Sequence, residues 1–128
     1  MTSYTANGNG TVTDNVTGLL WQAPQATLAY TWDSTGAATG SGQYYCAHLS
    51  LAGRASGWRL PTLPELFSLV DNTGSQPTIN TAAFPGTTAA GYWTSTQESP
   101  GFGAWVDFIN GDTSNASSNS GLLVRCVQ

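Results

Sequence analysis

The chain has 128 residues, the size of one domain and enough to bury roughly two-thirds of its unfolded surface. Only 8% of residues are charged, there is no Lys, and seven carboxylates against three arginines leave a net charge of −4. So few cations cannot displace phosphate counterions along a duplex, which excludes nucleic acid as a partner and disfavours other polyanions for the same Coulombic reason.

Residues 1–10 are polar and rich in Gly and Asn, and are expected to be a flexible lead-in to a single domain over 11–128. Thr11-Val12-Thr13 and Leu19-Leu20-Trp21-Gln22 read as the strands of a hairpin. Asp14-Asn15-Val16-Thr17-Gly18 supplies its turn chemistry. Residues 23–42 form a loop rich in Pro, Gly, Thr, Ala and Ser that carries Tyr30 and Trp32. Loops of this length in compact domains are commonly functional or mobile.

Gln43 to Ala52 reads as a helix, with Tyr45, Leu49 and Ala52 on one face beside Cys46, and with Gly53 at its C-cap. Gly57-Trp58-Arg59-Leu60 is extended and ends at Pro61. Thr62-Leu63-Pro64-Glu65 matches a capping box and opens a second helix. Its apolar stripe is Leu66, Leu69 and Val70, and Asp71-Asn72-Thr73-Gly74 stops it. Residues 75–90 are irregular.

Strands are expected at Tyr92–Ser95, Ala104–Ile109 and Leu122–Val127, with a hairpin signal at Asn110-Gly111 and a polar loop from Asp112 to Gly121. The last strand is apolar on both faces and is therefore placed centrally. If it pairs near the first hairpin, the two termini lie close together. Two helices with short antiparallel sheets and long irregular loops make an α+β fold. No apolar run of about 20 residues is present, so no membrane insertion is expected.

Catalytic chemistry finds little support. The one His, His48, lies two residues after Cys46, and helical neighbours two apart face different directions, which makes a poor dyad. Glu65 is committed to the helix cap. Glu98, Asp107 and Asp112 are carboxylates that the sequence cannot bring into a working pair. Phosphate-loop, dinucleotide and zinc spacings are all missing. The chain is therefore expected not to be an enzyme and to use no cofactor.

Asp107, Asn110 and Asp112 cluster around one turn and offer hard oxygens suited to Ca²⁺, although the same residue types form turns unaided. Trp21, Trp58, Trp93 and Trp105 are expected in the core. Tyr30 and Trp32 fit either a core or a sugar-stacking role. The two cysteines, Cys46 and Cys126, allow one bridge across about 80 residues or two buried thiols.

The motifs together resemble a known family. Asp14-Asn15-Val16-Thr17-Gly18-Leu19-Leu20-Trp21-Gln22 is similar to the opening of the C-terminal domain of the Legionella collagen-like protein and its bacterial relatives. The stretch from Leu49 to Leu69, with Trp58-Arg59-Leu60-Pro61-Thr62 and Glu65-Leu66, resembles a second block. Tyr92-Trp93-Thr94-Ser95-Thr96, Ala104-Trp105-Val106-Asp107-Phe108 and Val124-Arg125-Cys126-Val127 follow in family order.

The resemblance implies a C-type-lectin-like fold related to the formylglycine-generating enzymes. It also implies a Cys46–Cys126 disulfide and a secreted or cell-surface location. The best-known member is an adhesin that binds sulfated polysaccharides on a trimeric stalk. This chain lacks the cations such a ligand requires, so that ligand is not carried over. Within the family block, Arg59 is expected to hold loop carbonyls while Thr62 and Glu65 cap a helix.

The expected function is a non-catalytic adhesin-type module that binds a glycan or a partner protein. The expected surface is Tyr30, Trp32, Glu98, Asn110, Asp112, Asn115 and Asn119. The alternatives are a homotrimerising or capping domain of a stalk or fibre and, least favoured, an enzyme on the formylglycine-generating-enzyme fold.

Overall fold

The computed structural model describes residues 3–26 and 28–128. Met1 and Thr2 of the expected lead-in, and Thr27 of the expected loop, lie outside the described residues. Two three-stranded antiparallel sheets and two short helices make up the domain. Strands β1 (Tyr4–Ala6), β2 (Thr11–Asp14) and β3 (Leu20–Gln22) form the first sheet in that order. Helices α1 (Gly42–Ala47) and α2 (Leu63–Phe67) follow, and β4 (Gly91–Ser99), β5 (Phe102–Asp107) and β6 (Thr113–Ser117) form the second sheet. The α+β expectation holds at this level.

The hairpin expected at 11–22 is present. Val12 pairs with Trp21, and the Asp14 carboxylate accepts the amides of Val16 and Thr17 to close the turn. The lead-in is corrected, because Tyr4–Ala6 adds a third strand to this hairpin and the Tyr4 ring meets Phe84 edge-on at 5.3 Å. A polar segment with one aromatic carries too little periodicity to be read as a strand.

Helix α1 is shorter than expected. Ser41 is its N-cap, its hydroxyl accepting the Tyr44 amide at 3.1 Å, and His48 is its C-cap. Ala52 and Gly53 both have positive φ (57° and 76°) and form the tip of a two-residue turn between Leu51 and Arg54. Gly53 therefore serves a turn and not a helix cap. Positive φ at both tip positions favours Asn-Gly. Ala52→Asn is expected to raise the unfolding free energy by roughly 0.5–1 kcal/mol, read by urea melts; no gain would mean that this turn carries no strain.

The capping box is present as expected. Thr62 Oγ1 accepts the Glu65 amide, and the Glu65 carboxylate accepts the Thr62 amide at 2.8 Å. Arg59 does not act as expected. Its guanidinium grips the Glu65 carboxylate at 2.7 and 3.0 Å, and its one carbonyl contact is the adjacent Leu60 oxygen at 3.4 Å.

Hydrogen bonding from Arg59 holds the Glu65 carboxyl below its ordinary value of 4.5, against an opposing push from burial, with the Thr62 amide adding to the lowering. A depressed acid contributes stability that is present above that ordinary value and lost as pH falls through the folded one. Melts at pH 6 and pH 3 are expected to show a smaller loss of stability for Glu65→Gln than for the wild type. Equal losses would remove Glu65 from the acid response.

The terminal segment decides the architecture. Residues 122–127 were expected as a regular strand, but they make only isolated bridges. Leu122 pairs with Tyr30, Leu123 lies parallel to Tyr92, and Val127 meets both Trp21 and Arg59. A chain that changes partners within six residues cannot sustain one ladder. It still alternates like a strand. Leu123 and Val127 face a core of Val12, Trp21, Leu66, Leu69, Phe84, Tyr92 and Phe108. Leu122, Val124 and Cys126 face a second core of Trp32, Cys46, Trp58, Leu60 and Trp93. The segment is thus a wall between two cores, central as expected. Its bonds to β3, Leu20 with Gln128 and Gln22 with Cys126, bring the C-terminus against the N-terminal sheet.

The expected loop from Asp112 to Gly121 is corrected too, since it contains β6, paired along β5 from Phe102–Ser117 to Val106–Thr113. An exposed strand of Thr, Ser and Asn has no apolar alternation to betray it.

Candidate functional site

The predicted surface is not one surface. Asn110 and Asp112 lie at the turn joining β5 to β6. Glu98, near the end of β4, and Asn119, just after β6, lie at the opposite end of the sheet. The five residue steps of β5 between these ends span about 17 Å. Asn115 is midway, on the exposed edge strand opposite Ala104.

Trp32 is removed from the candidate surface. It is 5% exposed, its indole N–H donates to the Thr94 carbonyl at 2.7 Å, and its ring lies over Gly103. A Cβ at Gly103 would come within 2.7 Å of that indole, so the second sheet is shaped to receive it. The long loop is thereby anchored by burial of a large aromatic side chain. Trp21, Trp58 and Trp93 are buried as expected, while Trp105 is partly exposed.

Two of the three residues proposed for Ca²⁺ have an oxygen bonded locally. Asp107 Oδ1 accepts the Ile109 amide at 2.8 Å, and Asn110 Oδ1 accepts the Asp112 amide at 3.0 Å. Among the described residues no group of three or more His, Cys, Asp or Glu is placed to hold a metal ion. Cys46 is joined to Cys126 in a disulfide, and both are fully buried. His48 lies on the surface against Tyr44 and makes no dyad with Cys46.

Of the predicted residues, Tyr30 enters a concave site. A groove of about 270 Å³ is lined by Tyr30, Thr39, Tyr44, Tyr45, His48 and Leu49, with Ser50 at its rim. All three tyrosines are partly exposed. Tyr30 and Tyr45 lie 4.9 Å apart with their planes inclined by 36°. Tyr44 and His48 are one helical turn apart and stack at 3.9 Å and 20°.

The groove is held from behind. The Tyr30 backbone exchanges two hydrogen bonds with Leu122, and its carbonyl also accepts the Trp93 indole N–H at 2.6 Å. The Tyr45 hydroxyl accepts from Gln22 Nε2 at 2.8 Å, while Gln22 Oε1 accepts the Cys126 amide at 2.9 Å. The disulfide fixes α1, which carries Tyr44, Tyr45 and, at its C-cap, His48. Rings whose supports are locked lose little freedom on binding.

No charged side chain lines the groove. Arg59 is paired with Glu65, Arg54 donates to Gln128 Oε1 at 2.9 Å, and Arg125 is buried. The sequence offered a signal for this site, aromatics at 30, 44 and 45, but gave no reason to join the loop to the helix.

Sequence reading also passed over Arg125, noted as one of three cations. It is 1% exposed and has no carboxylate partner among the described residues. Its guanidinium lies 4.8 Å over the Phe84 ring and donates to the carbonyls of Gln22 and Ala23, to Thr87 Oγ1 at 2.8 Å and to Gln25 Oε1 at 3.3 Å. Burial lowers its pKa to about 10, and the nearby Tyr92 opposes the shift. This is the arginine that holds loop carbonyls, the role expected of Arg59. It ties the terminal segment to the chain leaving β3 and to residues 84–87.

The architecture defines a class: a disulfide-stapled α+β domain, built around a buried terminal segment and presenting a small uncharged aromatic groove. The chain belongs to the Lcl C-terminal domain family, whose model matches residues 10–128. That membership implies a domain of a secreted or surface protein. No helix among the described residues is long and apolar enough to cross a membrane. Searches of curated proteins and of solved structures each found no match.

Proposed function

We propose that this domain is a non-catalytic binding module of a secreted or cell-surface protein and that it recognises a glycan through the tyrosine groove. The single observation that carries the reading is a set of three partly exposed tyrosines, backed by locked hydrogen bonds, in a groove without formal charge. Sugar rings present C–H faces to aromatic faces and hydroxyls to neutral polar groups, and such a groove supplies both. The tie from α1 to the terminal segment, and the return of that segment to the first hairpin, favour a C-type-lectin-like reading of the fold.

The test is a glycan array probed with the whole domain, its Tyr44→Ala and His48→Ala variants, and an Asn110→Ala/Asp112→Ala control. Binding to neutral glycans is expected to fall at least tenfold in the first two and to persist in the control. Binding lost in the control but kept in the groove variants would move the site to the loop tips. Retention of a partner protein by the domain, with no glycan bound, would replace the glycan reading by a protein-binding one.

A further inference from the structure

The groove constrains its ligand further than class. Its volume of about 270 Å³ is near the lower end of the ~300–1,000 Å³ usual for drug-sized ligands, so an open groove of this size seats about one ring against its walls. Its walls carry no cation for a sulfate or uronate and no carboxylate for an ammonium. The remaining polar groups are the hydroxyls of Thr39, Ser50 and the tyrosines, together with the imidazole of His48.

One hydrogen bond sets the state of that imidazole. His48 Nδ1 is 2.9 Å from the Tyr44 carbonyl oxygen. A carbonyl oxygen only accepts, so Nδ1 must carry the proton and donate. In the neutral ring this leaves Nε2 with a lone pair and no hydrogen. Stacking on Tyr44 holds the ring plane, and no described residue hydrogen-bonds Nε2. His48, which lines the groove, thus offers Nε2 as an acceptor on a ring whose plane is held.

We infer that the groove takes one uncharged hexopyranose unit, the exposed end of a glycan, with a specific sugar hydroxyl donating to His48 Nε2. This rests on the glycan-binding reading above and names His48 as the residue that determines specificity. A misplaced or missing hydroxyl forfeits that hydrogen bond, and because His48 is exposed to water the penalty is modest.

The experiment is an NMR titration of the whole domain with glucose, galactose, mannose and N-acetylglucosamine, with monodeoxy analogues of whichever sugar binds, and with glucose 6-sulfate and choline. At least one neutral hexose is expected to shift Tyr44, Tyr45 and His48 resonances saturably. Removing one particular hydroxyl is expected to weaken binding roughly 3–10-fold in the wild type. In His48→Phe, which keeps the ring stacked on Tyr44, the same deletion is expected to change affinity less than about twofold, while His48→Gln restores part of the discrimination. At a pH where the ring is neutral, imidazole nitrogen shifts should report hydrogen on Nδ1 and none on Nε2.

If no neutral hexose shifts any groove resonance, the glycan reading itself fails. If sugars bind but the deoxy penalty is unchanged in His48→Phe, or hydrogen resides on Nε2, the role of His48 is overturned while the glycan reading survives. Tighter binding of choline or glucose 6-sulfate than of every neutral sugar would overturn the uncharged ligand.

Discussion

Arg125→Met is expected to lower the free energy of unfolding by about 3 kcal/mol, the balance of two opposed effects. Methionine removes a buried cation that has no carboxylate beside it, and the lowering of the arginine pKa to about 10 shows that burying that charge is costly. Relief of that cost favours the variant. Against it stand hydrogen bonds to the carbonyls of Gln22 and Ala23 and to Thr87 and Gln25, together with stacking on Phe84.

The stranded acceptors cost about 1–3 kcal/mol each where water cannot reach them. At least the Gln22 carbonyl is bonded in buried surroundings, while Thr87 Oγ1 loses an accepted bond but keeps its own donation to the Phe84 carbonyl. Together with the Ala23 carbonyl and the stacking on Phe84, these losses outweigh the relief. Methionine is close enough in length to limit the cavity, so the loss reports hydrogen bonding. Arg125→Lys separates charge from geometry, because an ammonium keeps the charge without the planar fork that reaches two carbonyls and two side-chain oxygens at once. It is expected to be nearly as damaging. Urea melts at constant m-value decide the matter, and a loss under about 1 kcal/mol in both variants would mean that Arg125 is a passenger.

The second large effect belongs to the disulfide. Cys46 and Cys126 are separated by 80 residues, and tying them removes about 4–5 kcal/mol of chain entropy from the unfolded state on the loop-closure model. Cys46→Ala/Cys126→Ala is expected to forfeit most of this, a fall of roughly 12–20 °C in Tm for a domain of this size. Both sulfurs are fully buried, so reductant should act only as fast as the domain opens. Native protein is expected to resist dithiothreitol in buffer and to lose the bridge in moderate urea. A double variant within about 1 kcal/mol of the wild type would show that the wall between the two cores holds without the tie.

The bridge also bears on the proposed sugar binding. It anchors α1, which carries two of the groove's three tyrosines and places His48 at its C-terminal cap. Weakened sugar binding in an otherwise folded double variant is therefore expected before any change at the far end of the second sheet.

What could be read in advance follows the range of the interactions. The first hairpin and the capping box at Thr62 and Glu65 are set by near neighbours, and each is present, whereas α2 ends at Phe67, short of the stop expected at Asp71 to Gly74, and Val70 bridges to Ile79 instead. The burial of Trp21, Trp58 and Trp93 follows from their size and apolarity. The turn at Ala52 and Gly53 and the pairing of Arg59 with Glu65 are local features that went unread, but the other failed expectations depended on partners distant in sequence. Tyr4–Ala6 becomes a strand because β2 offers it an edge. Thr113–Ser117 becomes one because β5 does. Trp32 leaves the candidate surface because Gly103, 71 positions later, leaves a space for its ring.

By itself, the sequence determined the chemistry available to this protein: few charges, no Lys and three Arg, many small polar side chains, one His and two cysteines. It determined the local elements as well, because caps, turns and alternation act over a few residues. Only the tertiary structure decided which of these groups meet. Tyr30 joins Tyr44, Tyr45 and His48 because Leu122 and Trp93 pin the loop backbone beside a helix fixed through Cys126. Packing around residues 122–127 sets that meeting, and packing depends on all the surfaces brought together at once, which no local pattern encodes.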